Sequence, residues 1–181
     1  KYEYLARDDF GSAFGLNWRS LLSSKAFLMT TISATGNGWT TKQGTAANRA
    51  LRGEDILEEE YMIKSELTYQ FSPSLNVKFG VMGKAIDSKN ITWTPEDTTR
   101  IGTIVPATTI SFTPNTTSKT ALYLQSAYTV FKPLTISAGL RYDRFAMTDE
   151  TVISPRLALS YKFIESTLLN LAWGKFEQTP A

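Results

Sequence analysis

LEEEYMIKSELTYQF, residues Leu57 to Phe71, decides the fold. Its odd positions are Leu57, Glu59, Tyr61, Ile63, Ser65, Leu67, Tyr69 and Phe71; its even positions are Glu58, Glu60, Met62, Lys64, Glu66, Thr68 and Gln70. Apolar residues on one set and polar residues on the other give a period of two, which is a strand with one apolar face and one wet face. The link that follows is only Ser72-Pro73-Ser74, whereas a polar stretch of roughly twenty residues precedes it.

Seven other segments repeat the pattern. Strands are expected over about Phe10 to Ser20, Lys25 to Thr35, Leu75 to Ile86, Lys119 to Phe131, Leu134 to Phe145, Ile153 to Phe163 and Thr167 to Phe176. The phase of the segment from Lys25 is ambiguous, since Phe27 and Met29 oppose Leu28 and Ile32. Short turns at Leu22-Ser23-Ser24, Lys132-Pro133 and Ile164-Glu165-Ser166 alternate with long polar links over 36–56 and 87–118. A local hairpin within Ile101 to Phe112 is expected in the longer link. Turns at one end and loops at the other are the pattern of an antiparallel up-and-down transmembrane β-barrel. Strands of about ten to fifteen residues suit a tilted membrane crossing of roughly 9–11 residues better than the 5–6 usual in soluble sheets.

With short turns on the periplasmic side, Trp18, Tyr69, Phe71, Tyr128, Tyr161 and Phe163 fall near the lower rim. Tyr61, Tyr142 and Trp173 fall near the upper rim, so two aromatic girdles are expected.

Composition excludes much chemistry. The 181 residues contain no Cys and no His, which removes thiolate catalysis, a Ser-His-Asp triad and His- or Cys-based metal sites. A net charge of +2, scattered along the chain, gives no clustered basic face for nucleic acid. No run of about 18 apolar residues forms a membrane helix. The slightly negative mean hydropathy fits strands of which half the residues face a polar interior. The acidic run Glu58-Glu59-Glu60 points to alternate faces, so it does not converge on a cation. No enzyme activity, cofactor or metal is expected.

The second half carries recurring phrases. Gly139-Leu140-Arg141-Tyr142-Asp143 is followed by Ser154-Pro155-Arg156-Leu157-Ala158-Leu159-Ser160-Tyr161, then by Trp173-Gly174-Lys175-Phe176-Glu177-Gln178-Thr179-Pro180. Together, in this order on consecutive strands, they resemble the barrel of TonB-dependent outer-membrane receptors. The specific resemblance covers about Ala121 to Ala181; the rest matches in strand-and-loop rhythm. It implies a bacterial outer-membrane location and a role in taking up a scarce nutrient such as a siderophore, cofactor, glycan or peptide. It also implies a plug, a TonB-contacting box and about 22 strands, of which this chain holds neither the plug nor the box and about eight strands. Residues 1–181 are therefore expected to be a partial barrel domain. Its partners would be membrane lipid, the remaining strands and plug of the same receptor, and TonB through regions outside this chain. Tyr2 and Tyr4 read as the end of a ninth strand cut short.

Long loops on a rigid scaffold commonly carry binding, which makes Trp39, Arg49, Arg52, Trp93 and Arg100 candidate substrate contacts. Arg141 and Asp143 are candidates on the wet face, with Arg156 nearby; an ordinary charge network within a barrel interior is the plainer account of all three. Two other architectures compete. A self-contained eight-stranded membrane barrel, structural or adhesive, would pair its first and last strands. A soluble ligand-binding barrel or sandwich would bury Leu67, Phe79 and Leu159 and expose Lys78, Arg141 and Lys162.

Overall fold

The computed structural model describes residues 3–45, 50–98 and 102–176. Ten strands are described: β1 (Glu3–Ser23), β2 (Ala26–Thr45), β3 (Ala50–Ser72), β4 (Leu75–Thr94), β5 (Asp97–Thr98), β6 (Ile104–Val105), β7 (Thr108–Phe131), β8 (Leu134–Phe145), β9 (Glu150–Ile164) and β10 (Thr167–Gly174). Eight of them form one sheet in the order β1-β2-β3-β4-β7-β8-β9-β10, while β5 and β6 pair separately. Each long strand lies beside its neighbour in the chain, which is the expected up-and-down meander. The pairings of β7 with β8, β8 with β9 and β9 with β10 are antiparallel. The first and last strands, β1 and β10, are the two ends of the order. Among the described residues no helix is long and apolar enough to cross a membrane, which says nothing of crossing by strands.

The strands are longer than their apolar pattern suggests. β8 spans Leu134–Phe145 as expected, but β2 runs on to Thr45 and β3 begins at Ala50, so most of the anticipated 36–56 loop is strand. Likewise β4 reaches Thr94 and β7 begins at Thr108, which shrinks the 87–118 loop. Gly-, Thr- and Asn-rich stretches read as loop because they lack an apolar face, yet ladder hydrogen bonds are made by the backbone. The hairpin expected in Ile101 to Phe112 is replaced by Ile104–Val105 pairing with Asp97–Thr98. Tyr4 belongs to β1 and not to a ninth strand. The charged run after it lies within the strand, with Arg7 and Asp9 paired at 2.7 Å on one face. Tyr2 lies outside the described residues.

The chain divides into two compact units, Lys1–Phe14, Ser33–Tyr61 and Ala85–Thr116 in one and Gly15–Ile32, Met62–Lys84 and Thr117–Ala181 in the other. In the second unit the usual logic of a soluble sheet is inverted. On β8, Leu140 and Tyr142 are exposed, Leu140 at 53 %, while the alternate positions Gly139, Arg141 and Asp143 are half-buried. Register carries this across the sheet: Leu124, Leu140 and Pro155 share one face, and Tyr123, Arg141 and Ser154 the other. Phe79 is 47 % exposed and Trp173 is 67 % exposed. The buried side chains among the described residues are only Ala26, Ala121, Thr68 and Ser154. The apolar core that a soluble barrel requires is thus not formed by Phe79 and its neighbours. In β2, Thr31 donates to Asn17 and Arg19 lies over the Phe27 ring at 4.3 Å, which places Phe27 on the polar face. Of the expected lower-rim aromatics, Tyr69 meets Phe71 edge-on at 4.5 Å and Tyr161 meets Phe163 at 6.1 Å.

Aromatic rings also lie over glycines of other strands. A Cβ on Gly80 would overlap the Tyr123 ring in the second unit. In the first unit, Gly38 lies beneath Phe10, Gly44 beneath Tyr4 and Gly53 beneath Trp93. Only a residue without a side chain lets a ring lie this close to the backbone.

Candidate functional site

The period of two places Lys64 and Glu66 on the same face of β3, and the β7–β8 register sets Tyr123 opposite Arg141. These positions converge on Glu66. Tyr123 donates a hydrogen bond to its carboxylate, while Lys78 Nζ lies 2.9 Å and Lys64 Nζ 3.4 Å away. The glycine at position 80 lets the Tyr123 ring lie flat enough to reach Glu66. Lys64 Nζ and Arg141 Cζ lie 5.7 and 5.9 Å from the centre of that ring. Arg141 in turn donates to both carboxylate oxygens of Asp143 at 2.7 to 3.0 Å. A shallow cavity of about 440 Å³ opens over this network, lined in part by Lys64, Glu66, Lys78, Tyr123, Arg141 and Arg156. Four cations stand against the carboxylates of Glu66 and Asp143, so the polar face here has a positive excess. Its hydrogen-bonded groups are suited to holding an anionic or polar surface in place.

Arg141 and Asp143, both candidates from the sequence, are therefore brought together as a bidentate pair. Arg156, opposite Gly139, stacks on Phe176 at 5.0 Å. Sequence reasoning missed Glu66, Lys64, Lys78 and Tyr123 as a group. The available signal was Tyr123, an aromatic on the polar phase of its strand between Leu122 and Leu124.

In the first unit, Trp39 and Arg52 sit on strands β2 and β3, where loop was expected. Arg7 lies 5.1 Å from the centre of the Trp39 ring. Arg52, Thr41, Gln43, Gly53 and Glu54 line a small cavity of about 220 Å³. Trp93 does not join them. It covers Gly53, and Arg52, the adjacent residue on the strand, points to the opposite face. Arg49 and Arg100 lie outside the described residues. Among the described residues, no three acidic side chains are grouped to hold a metal ion.

The model of the TonB dependent receptor-like β-barrel family matches residues 2–181. No curated protein sequence matches the chain. Among solved structures, the RagAB peptide transporter aligns with a TM-score of 0.62 at 9 % identity, over 95 % of this chain and 23 % of its own. The outer membrane transporter YddB from Escherichia coli aligns at 0.59 and 16 % identity, over 87 % and 24 %. The siderophore receptor PiuA from Acinetobacter baumannii aligns at 0.57 and 12 % identity, over 91 % and 32 %. The chain thus spans less than a third of each of these structures. Identities this low speak to fold alone, and that fold agrees with the alternating strands and the sheltered polar face. With its whole described sheet inside the matched range, the chain belongs to the TonB-dependent receptor-like β-barrel family.

Proposed function

We propose that residues 1–181 are a partial barrel domain, part of the wall of a larger TonB-dependent receptor in the bacterial outer membrane. The observation that carries this reading is the inverted exposure of the sheet: Leu140 and Tyr142 are open while Arg141 and Asp143, which alternate with them, are sheltered. The apolar face meets lipid and the polar face lines the interior. The remaining strands, the plug and the TonB-contacting box belong to other parts of the receptor. A separate eight-stranded barrel is disfavoured by β1 and β10 standing at opposite ends of the strand order.

The transported molecule is a scarce nutrient of the siderophore, cofactor, glycan or peptide kind. It is held without covalent chemistry. On the loop side, Trp39 and Arg52, with Thr41, Gln43 and Glu54, offer a ring and hydrogen-bonding groups to it. In the interior, Arg141 and Asp143 belong to the polar network that the substrate or the plug would meet. Trp93, near the end of β4, completes the candidate set with Arg49 and Arg100, which the sequence alone proposes.

Single cysteines introduced into the full receptor, in a background otherwise without cysteine, test the orientation. After reconstitution in liposomes, a membrane-impermeant maleimide should label replacements of Lys78, Gln125 and Arg141 and spare those of Phe79, Leu124 and Leu140. Equal or reversed labelling would overturn the proposal.

A further inference from the structure

We infer that the cavity over the Glu66 network seats a carboxylate of the plug, a reading that rests on this face lining the interior of a full receptor. Of the described side chains that line it, Lys64, Lys78, Arg141 and Arg156 are cationic and Glu66 alone is acidic. Both lysines are directed at Glu66, and Arg141 is held by Asp143. Arg156 rests on the Phe176 ring at 5.0 Å, and among the described residues no carboxylate pairs with it. A ring beneath the plane of a guanidinium leaves its N–H edge open, and that edge matches the two oxygens of a carboxylate. Room beside it comes from small residues. Register sets Gly139 opposite Arg156 and Ser137 opposite Ala158, with Ala172 next to Ala158 on β10. Arg156 is exposed on this floor, while Arg141, two residues from Gly139, is half-buried.

Charge and depth select the occupant. Arg141 lies seven residues past Leu134, and Arg156 eight before Ile164. That is roughly 25 Å along each strand from its short turn, which the tilt of a membrane strand brings to mid-membrane depth. Cations left in excess on a wall of low dielectric repel one another and are poorly solvated. Dissolved anions offset them only while water fills the space. A plug that fills the interior displaces that water, so its own surface has to supply the negative charge. An Asp or Glu of the plug at Arg156 does so through two parallel hydrogen bonds. A cationic or apolar plug surface would leave the excess standing.

The test is amide formation by a water-soluble carbodiimide in the full receptor in micelles, followed by peptide mapping. The reagent activates a carboxylate, a neighbouring lysine amine attacks it, and an amide forms as a urea leaves. Lys78 and Glu66, 2.9 Å apart, supply the internal control. In Arg156→Lys the introduced amine should couple to an Asp or Glu of the plug. Its yield should be about ten-fold that of Ser160→Lys, on the same face of β9, because a charge-assisted pair holds its carboxylate in place. If the control amide forms and the amine of Arg156→Lys couples to nothing, or only to Glu177 or another acid of residues 1–181, the seat does not exist. A cavity offset by dissolved anions gives that result. Equal coupling from Ser160→Lys shows mere nearness and overturns the seat too. The maleimide pattern separates the two readings. Labelling of the interior positions without a plug amide sinks the seat alone, whereas reversed labelling sinks the wall assignment as well.

Discussion

Replacing Gly80 by alanine tests the contact on which the polar network depends. In an ordinary strand the change would stabilise by about 0.5–1 kcal/mol, because glycine loses more backbone freedom on folding. Here the new methyl would occupy the space of the Tyr123 ring. Forcing that ring aside costs about 1–3 kcal/mol, as overpacking does. It also removes the hydrogen bond from Tyr123 to the Glu66 carboxylate, worth about 1.5–3 kcal/mol for a charged acceptor. Water reaches this face, so the lower part of that range applies. Net destabilisation of about 2–3 kcal/mol is expected. In a Tyr123→Ala background the sign should reverse, and Gly80→Ala should stabilise by about 0.5–1 kcal/mol. The coupling between the two positions is then about 3 kcal/mol, read from a double-mutant cycle. Urea titration of the full receptor folded in micelles, followed by tryptophan fluorescence and by mobility on unheated gels, supplies the four midpoints. A Gly80→Ala receptor as stable as its parent, or the same shift in both backgrounds, would refute the reasoning.

Thr68 is 6 % exposed and its Oγ1 has no hydrogen-bond partner; Thr68→Val should be neutral or stabilise by up to about 1 kcal/mol in the same titration. Glu66→Gln keeps an acceptor for Tyr123 but removes the attraction to Lys64 and Lys78, both 40 % exposed. It should cost about 1 kcal/mol or less and flatten the dependence of stability on salt. Asp143→Ala strands the half-buried Arg141 guanidinium and should cost about 1–2 kcal/mol; Asp143→Asn should recover part of that loss.

Alternation made the strands legible wherever one face was apolar, as in Leu57 to Phe71 and Leu134 to Phe145. It failed over Gly36 to Thr45 and over Thr108 to Ser118, where glycine, threonine and asparagine prevail and the few apolar residues, Trp39, Ile110 and Phe112, do not build an alternating face. Loop ends and strand ends are then chemically alike, which is why Trp39 and Arg52 read as loop residues. Arg141 and Asp143 could be paired from their spacing of two on one strand. Gathering Glu66, Lys78 and Tyr123 needs the stagger between β3, β4 and β7, and no single strand encodes that. Trp93 and Arg52 were both candidate contacts; Trp93 covers Gly53, and the alternation at Arg52 and Gly53 puts Arg52 on the other face.

The rings seated on glycines also act as keys during assembly. Slide β7 two residues against β4, and Tyr123 comes down on Lys78 or Met82 instead of Gly80. Slide β1 likewise against β2, and Tyr4 meets Lys42 in place of Gly44. A shift of one residue turns each ring to the other side of the sheet. Strands over twenty residues long, with polar ends that offer many near-equivalent pairings, are the ones most exposed to slippage. Each ring and glycine admits one alignment and penalises its neighbours, so a mispaired hairpin would be detected locally, before the rest of the receptor has been inserted.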